Sequence, residues 1–332
     1  MKSKILNISA IIIPLVIFLY FFLYENGLYQ LISVMKVINV LWILGAIGLM
    51  LIYWIFEIFI IHELTRILFL KQKFSRSIKA AMVGQFYANI TPLQTGAQPA
   101  IYFVLVDGGI EPGSASSILM MKFIIHQITM TIYSLIIIIL KFSYFKSMIS
   151  GLFYLCLLGF LFNLGIILTA VMFSVNKGFT KSLLLGTFKF LSKMKLIKNW
   201  EKSEGKTEKA LDDFHENAIL IAKNFKIVLR VVIINTAQLT VFYAIPYLIY
   251  RSFNLSQASL WNMLAAQTLV MLIVSITPLP GGAGGAEGGF LLLFKMFFKE
   301  NVLPGVLLWR IITYYSCILI GAFFAIKLPK NS

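Results

Sequence analysis

Residues 276–286 read Ile276-Thr-Pro-Leu-Pro-Gly-Gly-Ala-Gly-Gly-Ala286, and residues 90–100 read Ile90-Thr-Pro-Leu-Gln-Thr-Gly-Ala-Gln-Pro-Ala100. Aligned without gaps, the two stretches are identical at seven of eleven positions. Each stretch interrupts an apolar run, residues 260–298 in the first case and 80–106 in the second. Because proline and glycine disfavour a continuous helix, we expect each run to form two helices joined at the break. The alternative is that both runs are ordinary kinked membrane helices.

The rest of the chain has the composition of a polytopic membrane protein. Of its 332 residues, 59% are hydrophobic and 13% are charged, whereas soluble proteins have about 25% charged residues. This composition excludes a soluble enzyme. Apolar runs of about 20 residues can cross a hydrocarbon core roughly 30 Å thick. The sequence predicts an all-α membrane protein with six full spans, at residues 5–24, 38–61, 114–140, 151–173, 227–250 and 302–326.

The basic residues predict the topology. The net charge is +16, and most of the Lys and Arg residues lie between the apolar runs, which indicates contact with anionic lipid rather than with nucleic acid. Residues 62–80 contain five Lys or Arg, and residues 174–226 contain eleven Lys against six acidic residues. We therefore expect both segments, the N-terminus and the C-terminus to be cytoplasmic. Residues 1–332 would form one integral membrane domain, with residues 174–226 as a basic, amphipathic cytoplasmic segment.

With this topology both broken runs are re-entrant hairpins of opposite orientation. Residues 80–106 would enter and leave from the cytoplasm, and residues 260–298 from outside. An alternative is a full crossing at residues 260–276, with the C-terminus outside. Oppositely oriented hairpins form an inverted repeat, and in transporters such broken helices meet near the bilayer midplane and bind substrate. We expect the two breaks to face each other across a polar cavity.

The second break contains the main candidate site residues. Backbone N–H groups of Gly281, Gly282 and Gly284, at the start of a half-helix, could hold a lipid phosphate; the alternative is a tight turn that needs positive φ angles. Glu287 could pair with Arg310, receive the ammonium of an aminoacylated lipid, or carry a proton; alternatively it caps its own helix. Arg310 could bind phosphate or extend to the membrane surface.

Further polar side chains lie in the apolar runs. Thr91 and Gln98 in the first break could bind a lipid headgroup or satisfy the broken backbone. Lys122 and His126 are one helical turn apart and share a face. Glu57, in the predicted second span, needs a partner that the sequence does not identify.

We predict no catalytic residue, no metal and no cofactor. The segment His62-Glu63-Leu64-Thr65-Arg66 lacks the second histidine of a zinc-protease helix, and the glycine-rich break lacks the Lys-Ser/Thr of a nucleotide-binding loop. Residues 179–200 alternate apolar residues with Lys and predict a helix lying on the anionic inner leaflet, or else a regulatory partner site.

These motifs resemble one known family. Thr91-Pro92 with Gly96-Ala97-Gln98-Pro99, then Pro278-Leu279-Pro280-Gly281-Gly282 with Gly284 and Glu287, and finally Arg310, are similar to the membrane region of lysylphosphatidylglycerol synthases, the multiple peptide resistance factors, and their stand-alone flippase-like relatives. The resemblance covers almost the whole chain.

The resemblance implies a bacterial cytoplasmic membrane protein that moves a lipid between leaflets. The substrate would be aminoacyl-phosphatidylglycerol or another phosphate-containing lipid, such as a polyprenyl phosphate. In two-part family members a soluble domain transfers the aminoacyl group, with a link to cationic peptide resistance; no segment here is large enough for that domain. The alternatives are phosphatidylglycerol lysyltransferase activity, or an accessory role to a separate lipid-modifying enzyme.

Overall fold

The structure is a computed structural model that describes residues 38–146, 150–183 and 204–326. Its helices are α1 Val40–Leu68, α2 Phe74–Ile90, α3 Ala97–Asp107, α4 Pro112–Lys146, α5 Ser150–Val175, α6 Glu204–Lys223, α7 Phe225–Ser252, α8 Leu260–Ser275, α9 Gly285–Phe298, α10 Val302–Arg310 and α11 Ser316–Ala325. A π-helical turn, Ile311–Tyr315, joins α10 to α11. The prediction of an all-α protein is confirmed.

Five segments of the described chain are long and apolar enough to cross a membrane. They are Val40–Leu68, Pro112–Lys141, Leu157–Val175, Phe225–Ser252 and Gly285–Ala325. These segments contain most of each predicted span from residue 38 onward, so the chain is a multi-pass membrane protein. The predicted span at residues 5–24, and residues 184–203 of the basic segment, lie outside the described residues.

Helices α1 and α7 form a long antiparallel pair. At one end of the pair the Asn39 N–H donates to the Ser252 carbonyl at 2.8 Å. Toward the other end Arg230 donates to Glu63 at 2.8 Å. We refer to these two ends of the bundle as the Ser252 end and the Arg230 end.

The first hairpin, α2 and α3, enters from the Arg230 end. Ser77, near the start of α2, lies with its hydroxyl 3.1 Å from the His62 ring near the end of α1. Arg76 donates to the carbonyl of Gly108, which follows α3, and this contact brings both ends of the hairpin together. Both arms therefore begin and end at the same side of the bundle.

The second hairpin begins at the Ser252 end and stops part-way through the bundle. Near its start, Asn262 accepts a hydrogen bond from Lys141, close to the end of α4, at 2.7 Å. At its end, Ser275 accepts from the Asn163 amide in the middle of α5 at 2.9 Å. With 16 residues, α8 is about 24 Å long. It does not cross the bundle, so the alternative of a full crossing at residues 260–276 does not hold.

The second hairpin also returns to the Ser252 end. Phe298, the last residue of α9, packs its ring 5.5 Å from that of Tyr250 and 5.8 Å from that of Phe253, near the end of α7. The two hairpins therefore enter from opposite ends, as predicted. Which end faces the cytoplasm stays a prediction from the charges.

The last helix runs between both hairpins. Its first part, α10, packs antiparallel to α9, with the Trp309 and Phe290 rings stacked at 5.1 Å. Its second part, α11, packs against α2, and a Cβ added at Gly321 would lie 2.7 Å from the Met82 carbonyl. One continuous segment therefore contacts the second hairpin and then the first.

We expect Gly321→Ala to destabilise the protein. The new methyl group would lie 2.7 Å from both the Met82 carbonyl and the Phe86 Cβ, and overpacking of this kind costs about 1–3 kcal/mol. Gly165→Ala is the matched control because nothing lies within 4 Å of that Cβ, and it should raise stability by about 0.5–1 kcal/mol. Thermal unfolding midpoints in detergent measure both effects. Equal midpoints for the two variants would contradict the close packing of α11 on α2.

Candidate functional site

The two breaks form turns of the same kind. In each turn the N–H of the last residue donates to the C=O of the first, at 3.1 Å in residues 92–95 and 3.2 Å in residues 280–283. Both central residues have positive φ, 50° and 58° in the first turn and 60° and 63° in the second. An antiparallel bridge between Pro92 and Pro280 pairs the turns. The breaks of the two hairpins therefore meet.

Before the turns, residues that match in sequence also occupy equivalent positions in the structure. Thr91 and Thr277 occupy the same position in the match, and both follow the last turn of a helix. In each case the hydroxyl donates to the carbonyl four residues earlier, at 2.6 Å for Thr91 and 2.9 Å for Thr277. Each threonine hydroxyl therefore adds a donor to a carbonyl in the last turn of the helix before the break.

From the turns onward the match is shifted by two residues. The sequence match places Pro278 opposite Pro92, whereas the bridge pairs Pro92 with Pro280. Backbone bonds spanning four residues at the starts of α3 and α9, at 3.2 Å and 2.8 Å, follow the register of the bridge. The second break has two additional residues before its turn, which the ungapped match could not reveal.

Thr91 and Gln98 belong to the first break. The Thr91 hydroxyl also accepts from the Gly96 N–H at 2.8 Å, so this side chain holds the turn to the helix before it. The Oε1 atom of Gln98 is buried and has no hydrogen-bond partner in the part of the chain that the structure describes. A buried amide oxygen without a donor is costly, so Gln98 is suited to accept from a ligand.

Glu287 closes the second break with both carboxylate oxygens. Its Oε2 accepts from the Gly284 N–H at 2.6 Å, and its Oε1 accepts from Arg310 Nε at 2.6 Å. The side chains of Arg310 and Glu287 are 6% and 8% exposed. The cap of its own helix and the pair with Arg310, which were alternative predictions from the sequence, occur together.

Arg310 is held inside the protein. Its Nη1 donates to the Gly281 carbonyl at 3.1 Å, and its guanidinium lies 5.3 Å from the Trp309 ring and 5.0 Å from the Tyr314 ring. The side chain therefore does not extend to the membrane surface. A guanidinium has further N–H groups that could donate to a phosphate.

Tyr314 connects the two breaks, and the sequence analysis missed it. A Cβ added at Gly281 would overlap the Tyr314 ring, so this glycine is required for the close approach. The Tyr314 hydroxyl donates to the Asn89 carbonyl at 3.3 Å, near the end of α2. Its position four residues after Arg310 was the available signal, because that spacing places two side chains on one helical face.

The structure brings some of the predicted site residues into direct contact. Gly282 is buried, and a Cβ there would lie 2.7 Å from the Val274 side chain, so its role in the fold is a tight turn. Thr91 and Gln98 lie across the proline bridge in the other break. The residues that form one hydrogen-bonded group are Gly281, Gly284, Glu287 and Arg310. Substrate binding by any of the predicted residues stays a prediction.

An exposed surface lies next to the buried ion pair. Side chains of both breaks are exposed, while Pro280 beside them is buried. The exposed residues are Pro92, Leu93, Gln94, Thr95, Pro99, Pro278 and Leu279. A ligand approaching this surface would meet turn backbone first and the Arg310 guanidinium behind it.

Among the residues that the structure describes, no group of three His, Cys, Asp or Glu could hold a metal ion. His62 contacts Ser77, and Glu63 pairs with Arg230, so the incomplete zinc motif takes part in helix packing. The paired turns themselves contain backbone hydrogen bonds and the buried pair of Glu287 with Arg310.

Comparisons with known proteins agree with this architecture. A family model described as the lysylphosphatidylglycerol synthase transmembrane region matches residues 6–321. A protein of Archaeoglobus fulgidus, described as "UPF0104 membrane protein", is 30% identical over 296 residues, which cover 87% of each chain. The resemblance inferred from the motifs is confirmed, and this chain belongs to the lysylphosphatidylglycerol synthase transmembrane-region family.

Proposed function

We propose that this protein moves a phosphate-containing lipid between the leaflets of a bacterial cytoplasmic membrane. The observation that carries the proposal is the pairing of two helix breaks, reached by hairpins from opposite ends, at Pro92 and Pro280. Broken helices that meet in this way form the substrate sites of inverted-repeat transporters. Irregular backbone at membrane depth is tolerated where it is buried in protein or lines a polar passage.

The paired turns suit a lipid headgroup. Arg310, beside the exposed turn surface, offers a planar guanidinium for a phosphate, and the Oε1 of Gln98 offers an acceptor for an ammonium or hydroxyl group. Because both oxygens of Glu287 are already bonded, its contribution is to hold Arg310 and the turn in position. The acyl chains would remain in the surrounding lipid while the headgroup crosses.

The charges favour an orientation with the Arg230 end in the cytoplasm. The loop between α1 and α2 is at this end, and the residues around it include Arg66, Lys71, Lys73, Arg76 and Lys79. Basic residues at this end would contact anionic lipids of the inner leaflet. Both termini would then be cytoplasmic.

The alternative function is aminoacyl transfer to phosphatidylglycerol, or support of a separate enzyme that performs it. The description of the matching family contains the word synthase, so this alternative also has to be tested. Transfer of labelled lysine from charged tRNA to lipid by the purified protein would establish it. Translocation without such transfer favours the proposal made here.

We expect purified protein in liposomes to accelerate the exchange of labelled headgroups between leaflets. Lysyl-phosphatidylglycerol, phosphatidylglycerol and undecaprenyl phosphate are the three lipids to follow. Arg310→Lys keeps the charge but removes the planar guanidinium, and it should slow exchange by about tenfold or more. Arg230→Lys, at an exposed ion pair, is the matched control and should exchange at the wild-type rate. If no lipid moves faster than in empty liposomes, the proposed function is wrong.

A second prediction distinguishes the effect of the ion pair on stability from its effect on lipid transport. Glu287→Gln leaves the Arg310 cation buried without its partner and should lower stability by about 3–5 kcal/mol. The double variant Glu287→Gln with Arg310→Gln removes both charges and should recover much of this loss, yet remain inactive in lipid exchange. Unfolding midpoints and exchange rates measured on the same samples make the comparison. Recovery of transport in the double variant would show that neither charge is needed.

A further inference from the structure

A second buried ion pair lies between α1 and α4, apart from the paired turns. Lys122 Nζ is 2.7 Å from Glu57 Oε1, and the two side chains are 13% and 9% exposed. The structure thus identifies the partner that the sequence left open for Glu57. Removing charges from water costs several kcal/mol per ion, and ionisable groups inside membrane bundles commonly mark ion or proton pathways.

Two amide side chains connect this pair to His126. Gln238 Nε2 donates to Glu57 Oε2 at 3.0 Å, and Asn235 Nδ2 donates to Gln238 Oε1 at 2.9 Å. The same Asn235 nitrogen lies 3.2 Å from His126 Nδ1. An amide nitrogen only donates, so His126 Nδ1 accepts this bond, and the imidazole is neutral in this arrangement.

Asn235 can also form a hydrogen bond with the protonated form of the His126 imidazole. Its Oδ1 is buried without a hydrogen-bond partner among the described residues, and the whole residue is 3% exposed. Turning the amide over exchanges Oδ1 with Nδ2, so that Oδ1 can accept an N–H from a protonated His126 while the bond from Nδ2 to Gln238 is given up. The unpartnered oxygen is the acceptor that the second protonation state requires.

The charged groups facing His126 are few. Lys122 lies one turn away on the same helix, Glu57 faces it from α1, and Asn235 is the contact from α7. Helices α5 and α8, which also pack on α4, contain no charged residue. On α3 the charged residue is the exposed Asp107, and α6 contacts α4 near its first turn. Because Glu57 and Lys122 balance each other, a proton on His126 adds one positive charge.

Polar contacts continue from this cluster to the paired turns. Gln238 Nε2 lies 3.4 Å from the Tyr53 carbonyl, and the Tyr53 hydroxyl accepts from Gln85 Nε2 at 3.4 Å. The Asn89 amide donates to the Gln85 carbonyl at 2.8 Å, and the Asn89 carbonyl accepts from Tyr314 at 3.3 Å. Protonation at one end can therefore act on the turns through adjacent side chains.

We propose that Glu57, Lys122 and His126 form a proton-binding site, with His126 Nδ1 as the acceptor, and that its protonation controls lipid movement at the paired turns. The proton comes from water and is held between His126 and Asn235, with Glu57 as the nearby negative charge. No covalent bond other than the N–H is made. The control of lipid movement rests on the proposed function, whereas the proton site itself does not.

The proton site is tested by magnetic resonance of protein labelled with ¹⁵N-histidine in lipid nanodiscs. The chain has three histidines, and His126→Gln identifies the signal of interest. We expect this signal to change from neutral to protonated as the pH is lowered from about 8 to about 3, a range wide enough for a buried imidazole beside Lys122. Asn235→Asp places a carboxylate beside the ring and should move the midpoint to higher pH. A His126 signal that stays neutral throughout this range in both proteins would overturn the proton site.

Control of lipid movement is tested by the pH dependence of headgroup exchange in liposomes. The wild-type rate should follow the His126 titration, with a limiting slope of about tenfold per pH unit, and His126→Gln should show no such slope. Tyr53→Phe removes the hydroxyl that contacts Gln85 and should keep the His126 titration while losing the pH dependence of exchange. Tyr133→Phe, on α4 but outside this path, should change neither.

The two parts of the proposal fail separately. A His126→Gln rate profile identical to wild type would overturn the control of lipid movement. If wild-type protein moves no lipid at any pH, the proposed function fails, while the histidine titration still decides whether the proton site exists.

Discussion

Glu287 and Arg310 carry opposite charges into a part of the bundle where neither could be buried alone. One carboxylate oxygen caps the half-helix that starts at Gly284, and the other holds the guanidinium that binds the Gly281 carbonyl. The pair thereby joins the second break to the last helix. Without it, a glycine-rich turn at this depth would lack partners for backbone groups that lipid cannot satisfy. The position of the turn, and hence its pairing with the first break, depends on this one contact.

The last helix extends this effect to the first hairpin. Tyr314 reaches Asn89 at the end of α2, and α11 then packs along α2 itself. Two hairpins that enter from opposite ends are therefore fixed to one common element. Movement of either break relative to the other would have to involve this element, since it contacts both. In the function proposed here, the same element lies beside the headgroup site and connects to the buried cluster around Glu57.

The sequence predicted the architecture because its signals were local. The apolar runs, the proline and glycine residues in the two breaks, and the basic residues at one end of the bundle each act over a few residues. The pairing of Glu287 with Arg310 was also within reach, since two buried charges need each other. The two-residue shift at Pro278 could not be predicted, because identical residues such as glycine and alanine mask a two-residue insertion. Glu57 and Lys122 could not be paired from sequence, since their contact depends on how α1 packs against α4.

The π-helical turn at Ile311–Tyr315 widens the last helix between α10, which packs against the second hairpin, and α11, which packs against the first. An α-helix rotates by about 100° per residue, so an extra residue in a wide turn sets a new phase for everything after it. The face that presents Arg310 to the second hairpin and the face that presents Gly321 to α2 are thus set independently. The length of this segment is therefore constrained in addition to the side chain of Tyr314 within it, which contacts both breaks. Losing one residue from the wide turn would direct α11 away from the first hairpin.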